Sequence, residues 1–267
     1  MSRLDNELVT RNIFKTRSKA QLAIKNGLVF CNEKCITKCG FEVDEATKIE
    51  IKGEVLKFVS RGGLKLEKAI NYFGIDLNNK IMIDIGSSTG GFSDCAIQNG
   101  VGKIYAIDVG NNQFDKELAQ NPKINLFENT DFRKIDNSMF MDANFITIDV
   151  SFISVTKIVE KISELKNVLE IVCLIKPQFE CGKEIADKFR GVILDKKVHK
   201  DVISNVLQSF KSIGYKCIDL TASPIKGGDG NTEYLAYFKK EPEIQNDFEN
   251  IQQKIEEVIR GGKKTET

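Results

Sequence analysis

Four charged side chains stand where apolar runs give way to turns. Lys65 comes just after SRGG (60–63), Asp149 closes the run FITID (145–149), Lys176 follows VCLI (172–175) and precedes Pro177, and Glu233 follows GGDGNT (227–232). A single charge at a strand end is as well explained by a surface ion pair as by chemistry. Two lysines and two carboxylates at one edge of a sheet are different, because the carboxyl edge is where the cleft of an α/β fold opens. Together they form a candidate cluster for proton transfer or for positioning a reacting group.

A cluster of that kind needs a cofactor element beside it, and residues 81–92, IMIDIGSSTGGF, supply one. Ile81, Ile83 and Ile85 read as a buried strand, Asp84 orders the turn, and Gly86, Ser87, Gly90 and Gly91 let the backbone turn sharply and approach a ligand. The helix that starts near Gly91 adds oriented N–H groups. A second strand, KIYAIDV, ends at Asp108 and Val109, and places a carboxylate where it can hold a ribose. A dinucleotide fold has the same layout, but these glycines do not form G-x-G-x-x-G. The pattern D-x-G-x-x-x-G-G-F instead resembles the S-adenosylmethionine loop of Rossmann-like methyltransferases, and this ranks methyl transfer above an NAD-linked oxidoreductase.

The elements that carry these residues alternate as an α/β chain should. Strands are expected at 81–85, 103–109, 124–128, 145–149, 170–175, 215–221 and 233–239. Helices are expected near 64–74 and at 91–99, 113–120, 154–166 and 196–213. The run YLAYF after a glycine-rich turn suits a last, antiparallel strand. From Glu241 on, Ile244, Phe248, Ile251, Ile255 and Val258 recur at helical spacing, which means a helix packed on its own domain, and the final RGGKKTET reads as frayed. The organisation expected is 1–58, 59–240 and a C-terminal helix and tail over 241–267.

At 267 residues with 41% apolar content the chain can build an ordinary core. The net charge of +1 conceals an asymmetry: residues 1–65 carry 13 Lys/Arg against 8 Asp/Glu, the remainder 26 against 30. Between Arg11 and Lys25 lie five cations and no acid, which suits a polyanion. Seven cysteines, without a signal-peptide pattern, point to a reducing compartment. No apolar run approaches the roughly 20 residues a membrane span requires. A soluble, cytoplasmic protein is expected.

The first 58 residues form a compact basic module: a helix from Leu4 to about Ile13, a second from about Ser18 to Asn26, a stop at Gly27, then short strands at LVFCNE, around Phe41 and Val43, and at KIEIK. R-L-D-x-x-L-V, T-R-S-K-A-Q-x-x-I-K-N-G-x-V and the late K-I-E-I resemble the alpha-L RNA-binding domain named after a small-subunit ribosomal protein. Glu33 and Cys39 depart from it, standing where Gly and Pro are usual. The resemblance implies RNA binding through Arg3, Arg11, Lys15, Arg17 and Lys19. Cys31, Cys35 and Cys39 recur every four residues, but no His lies near and the spacing fits neither zinc nor an iron–sulfur cluster. No metal site is expected. Cys95, Cys173 and Cys217 read as buried and structural.

In the larger domain the order Lys65, Asp149, Lys176, Glu233 resembles the Lys-Asp-Lys-Glu tetrad of the FtsJ-like RNA 2′-O-methyltransferases. The words SRGGLKL, DIGSSTGGF, IDVSFIS, LIKPQFE and SPIKGGDGNTEY resemble the TlyA (haemolysin A) branch in particular, over about residues 3–240. N-N-Q after Gly110 departs from its usual glycine. The resemblance implies a Rossmann-like seven-stranded methyltransferase domain behind a small N-terminal α+β RNA-binding domain. It also implies S-adenosylmethionine as cofactor, a cytidine ribose in ribosomal RNA as target and the ribosomal subunit as partner. Asp84, Gly86, Ser87, Gly90, Gly91, Asp108, Val109 and Asp131 would bind the cofactor, Asp108 at the ribose and Asp131 at the adenine amino group. Lys176 would deprotonate or orient the ribose hydroxyl, Asp149 and Glu233 would fix its geometry, and Lys65 would contact a phosphate or hydroxyl. As a base Lys176 must be neutral; from about 10.4, burial and Lys65 would lower its pKa while the two acids would raise it. The brief start and short tail lean towards forms acting on the large subunit only. His199 reads as a surface residue of its helix. A non-enzymatic ribosome-assembly factor and a membrane-acting haemolysin are the other readings. The intact tetrad argues against the first, and the lack of an amphipathic membrane segment against the second.

Overall fold

The computed structural model describes residues 1–14, 16–53, 56–240 and 248–261. It divides into two compact units, Met1–Ser60 and Arg61–Thr267.

The first unit runs β1 (Ser2–Arg3), α1 (Leu4–Thr10), α2 (Arg17–Lys25), β2 (Val29–Cys31), β3 (Lys34–Cys35), β4 (Glu42–Val43) and β5 (Ile49–Ile51). β1 pairs with β4, and β2 lies between β3 and β5, all antiparallel. Leu4 and Leu8 on α1, and Ala20, Ala23 and Ile24 on α2, lie at helical spacing and close over Val29 and Val43 as one core. Helix α1 ends three residues short of Ile13, because Asn12 adopts φ 57° and the N–H groups of Ile13 and Phe14 both turn back to the Leu8 carbonyl at 3.0 and 3.1 Å. That turn tucks Phe14 into the core. Thr16 caps α2 by accepting the N–H of Lys19.

The second unit opens with α3 (Gly62–Phe73) and continues β6 (Ile81–Ile85), α4 (Gly91–Gln98), β7 (Lys103–Ile107), β8 (Ile124–Phe127), β9 (Phe145–Ile148), α5 (Thr156–Ser163) and β10 (Glu170–Ile175). Then come α6 (Pro177–Glu180), α7 (Lys183–Lys188), α8 (Lys196–Ser212), β11 (Tyr215–Ala222), β12 (Tyr234–Lys240) and α9 (Phe248–Arg260). The seven strands form one sheet in the order β11-β12-β10-β9-β6-β7-β8. Strands β6 to β10 are mutually parallel, and β12 runs antiparallel to both β10 and β11. The parallel strands read as continuous apolar runs because both faces are covered: Ile83, Ile146 and Ile171 on one face, and Met82, Phe145 and Val172 on the other, are fully buried. From β6 the chain leaves to β7 on one side, and β9 lies on the other. The carboxyl end of β6 is therefore the switch point at which such sheets bind ligands.

All seven expected strands form, within two residues of their expected limits. The helix expected at 113–120 does not: only Leu118–Gln120 makes a single 3-10 turn. Side chains take the backbone donors that a helix would have used. Glu128 accepts the N–H groups of Gln113 and Phe114 at 2.9 and 3.2 Å, and Asp115 accepts those of Glu117 and Leu118 at 3.0 and 2.9 Å. His199 is not a surface residue. It is buried, its Nδ1 accepting from the Tyr234 hydroxyl at 2.5 Å and its Nε2 donating to the Ile193 carbonyl at 2.9 Å. Its helical spacing to Val202, Ile203 and Val206, all buried, was the signal that the flanking lysines masked. Cys95 and Cys173 are buried, and Cys217 is partly buried against the core. Helix α9 packs on α8 and β11, with Ile255 fully buried. Ile244 and the segment 262–267 lie outside the described residues.

Candidate active site

Lys65 on α3, Asp149 just past β9, Lys176 at the end of β10 and Glu233 at the start of β12 meet above the carboxyl edge of the sheet. They alternate in sign. Lys65 Nζ lies 2.7 Å from Glu233 Oε2 and 3.5 Å from Asp149 Oδ2, and Lys176 Nζ lies 2.6 Å from Asp149 Oδ1. Three of the four, Lys65, Lys176 and Glu233, are buried. Burial of so many charges is tolerated only because they are paired. Asp149 Oδ1 and Glu233 Oε2 are buried, and what each faces is a lysine ammonium at ion-pair distance. Lys176 Nζ also donates to Ser151 Oγ at 2.9 Å, so Ser151 belongs to the cluster although its sequence position did not announce it.

Of the cluster, Asp149 lines, together with its neighbour Ser151, a cavity of about 580 Å³, a volume typical of small-molecule sites. Gly86, Ser88, Asp108, Val109, Asp131 and Asp149 are among its lining residues. Gly86, at φ 84°, ties the cofactor loop to the cluster: a Cβ there would stand 2.6 Å from the Asp149 carbonyl oxygen. Only glycine allows the ends of β6 and β9 to come this close. Asp108 accepts the N–H of Ser88 through Oδ2 at 2.8 Å and that of Gly110 through Oδ1 at 2.6 Å, linking the loops after β6 and β7 and keeping lone pairs for a ligand. Ser87 Oγ is buried without a partner among the described residues. Asp131 caps the turn at Phe132–Lys134 and holds Arg133 at 2.9 and 2.7 Å, which keeps its carboxyl below the usual range. A glycine loop, a ribose-level carboxylate, an unpartnered hydroxyl and a second acid farther along the cavity fit a nucleoside cofactor.

Asp84 lies beneath this site and is fully buried, accepting from Ser93 and Thr147 hydroxyls at 2.7 and 2.8 Å. Burial pushes its carboxyl up to about 6, against a hydrogen-bond contribution that pulls down. A raised carboxyl pKa contributes stability that is fully present below the unfolded value of about 3.8 and is lost as pH rises through about 6. Asp84→Asn is therefore expected to gain on the wild type progressively between pH 4 and 7, by roughly 3 kcal/mol at the upper end. Urea midpoints measured across that range check it, and a constant difference between the two proteins would contradict the burial argument.

Sequence reasoning missed Phe152. Its ring is 91% exposed on a backbone held at φ 63°, and it stands at the cavity rim with its centroid 5.1 Å from that of Phe179. Glu180 fixes this loop by accepting from Ser154 Oγ at 2.6 Å and the N–H of Val155 at 2.8 Å. In the first unit Arg3 and Arg17 converge on Asp5, and Lys19 is exposed. Lys15 lies outside the described residues. The Arg11 guanidinium donates to Glu7 and to the Thr47 and Asp44 carbonyls, each at 2.8 Å, and so it holds α1 to the 44–47 turn.

Comparison with known proteins agrees with this geometry. Residues 58–240 match the FtsJ-like methyltransferase model, and residues 2–49 match the S4 domain. The Bacillus subtilis protein YqxC is 43% identical, over 98% of this chain and 94% of its own. The 23S rRNA (cytidine-2′-O)-methyltransferase TlyA of Campylobacter jejuni is 35% identical, over 87% of this chain and 97% of its own. A solved structure from Streptococcus thermophilus, labelled a hemolysin, superposes with a TM-score of 0.74 at 37% identity, covering 97% of this chain and 94% of that one. Among the described residues no helix is long and apolar enough to cross a membrane. With its glycine loop, its ribose-level carboxylate and its lysine–carboxylate cluster on a seven-stranded sheet, the chain belongs to the FtsJ-like methyltransferase family and carries an S4 domain at its front.

Proposed function

We propose that this chain transfers a methyl group from S-adenosylmethionine to the 2′-hydroxyl of a cytidine in large-subunit ribosomal RNA, acting in the cytoplasm. The observation that carries the reading is the alternating Glu233–Lys65–Asp149–Lys176 cluster, whose Asp149 lines the cofactor-sized cavity. The Campylobacter jejuni relative is named for the same reaction, with 23S rRNA as substrate.

Bound S-adenosylmethionine supplies an electrophilic methyl group on its sulfonium. Asp108 would accept the cofactor ribose hydroxyls, Asp131 the adenine amino group, and the glycine loop with Ser87 would cradle the remainder. Lys176, pinned by Asp149 and Ser151, keeps one Nζ position for the target hydroxyl, which it orients and whose proton it takes as the oxygen attacks. Lys65 holds Glu233 and Asp149 in register. The exposed ring of Phe152 offers a face on which a base drawn out of its stack can rest.

The test incubates the purified chain with ribosomal subunits lacking the modification and with methyl-labelled cofactor, and maps 2′-O-methyl groups in both RNAs. One new 2′-O-methylcytidine in the large-subunit RNA is expected. Label on a base, on a different nucleotide or only in the small subunit would overturn the proposal.

A further inference from the structure

We propose that His199 is a positioning residue for the reacting cluster: through Tyr234 and the segment 191–193 it holds the chain on both sides of Glu233, and so fixes where that carboxylate stands. This rests on the reading of Glu233 as part of the methyl-transfer site. Glu233 is 3% exposed, and its Oε2 lies 2.7 Å from Lys65 Nζ. It follows a loop with glycines at 227, 228 and 230, which has little stiffness of its own. Yet the loop closes tightly over the carboxylate: a Cβ on Gly227 would stand 2.7 Å from Glu233 Oε1, and the Gly227 N–H donates to the Asn231 carbonyl at 2.9 Å. The stiffness comes from α8 and the turn before it.

Both backbone polar groups of Ile193 go to side chains. Its N–H donates to Asn231 Oδ1 and its carbonyl accepts from His199 Nε2, each at 2.9 Å. Asn231 Nδ2 donates in turn to the Gly191 carbonyl at 2.7 Å, and His199 Nδ1 accepts from the Tyr234 hydroxyl at 2.5 Å. Because a carbonyl only accepts, the imidazole carries its proton on Nε2 and leaves Nδ1 for Tyr234. One turn is thereby tied to the chain two residues before Glu233 and one residue after it. His199, Asn231, Tyr234 and Ile193 are all buried. Stability alone would be served as well by apolar side chains, since a buried hydrogen bond contributes little net energy. A satisfied polar network adds one geometry in place of several. That geometry is delivered at Glu233, where a displacement of about 1 Å can cost about 100-fold in rate.

The test is single-turnover methyl transfer on ribosomal subunits by the full chain, with cofactor affinity from calorimetry and the thermal midpoint measured on the same variants. His199→Phe fills the space but removes both hydrogen bonds; it is expected to slow transfer by about 10- to 100-fold and to leave cofactor affinity within about twofold. His199→Gln keeps a donor for Ile193 and an acceptor for Tyr234, and should return the rate to within about threefold of wild type. Val206→Ala, a cavity in the core on the same helix, separates positioning from stability: it should lower the thermal midpoint while the rate stays within about twofold. An equal loss of rate there makes the His199 effect one of stability and overturns the proposal. In a Glu233→Gln background, His199→Phe should change the rate by less than about twofold, because its effect runs through that carboxylate. The full loss in that background, or a wild-type rate in folded His199→Phe, overturns the positioning role. If His199→Phe does not fold, Tyr234→Phe, which removes only the hydroxyl, decides in the same cycle. A wild-type rate in Glu233→Gln itself overturns the reading of the site, whereas failure of the His199 variants alone leaves that reading standing.

Discussion

Lys176→Ala is expected to slow single-turnover methyl transfer on ribosomal subunits by about 10²- to 10⁴-fold, the range for removing a positioned proton-transfer group. Affinities for cofactor and RNA should stay within about twofold of wild type, because Lys176 contacts Asp149 and Ser151 rather than the glycine loop. Loss of the chemical step with binding intact marks an interaction made in the transition state. Lys176→Arg should recover little: the side chain is 8% exposed, the guanidinium needs more room, and it does not give up its proton. A wild-type single-turnover rate in the Ala variant would remove Lys176 from catalysis, and with it the tetrad reading.

Asp108→Ala is expected to weaken binding of S-adenosylmethionine by at least about 100-fold, since two hydrogen bonds to a charged acceptor contribute roughly 1.5–3 kcal/mol each. The ribose hydroxyls lose their acceptor, and the N–H groups of Ser88 and Gly110 lose the carboxylate that holds the two loops together. Calorimetric titration gives the affinity directly, and near-ultraviolet dichroism checks the fold. Undiminished affinity would displace the ribose from Asp108; tight NADH binding by the wild type would favour an oxidoreductase. Replacing Gly90 by Val would be a poorer test of cofactor binding. Gly90 sits at φ 89°, and its Cβ would lie 2.8 Å from Leu118 and 2.9 Å from Phe114. Such a variant would disturb packing and cofactor binding together.

What the sequence could fix by itself was local or strictly periodic. The apolar runs bounded by turns read as strands, and IMIDIGSSTGGF as a strand, a sharp turn and a helix start, because backbone conformation there follows from residue type within a few positions. The four charged strand ends were legible for the same reason: a charge that terminates an apolar run is visible without knowing what faces it. What faces it was decided by tertiary structure. Lys65 and Glu233 lie 168 residues apart in sequence, and their 2.7 Å contact depends on β12 inserting antiparallel beside β10. Segment 113–120 has helical spacing but no helix, since Glu128 and Asp115 take its N–H groups. Arg11 reads as a free cation until the 44–47 turn brings carbonyls to it, and His199 reads as exposed until Tyr234 and Ile193 close over it. Propensity and period are properties of neighbouring residues, whereas burial and hydrogen-bond partnership are properties of whatever the folded chain brings alongside.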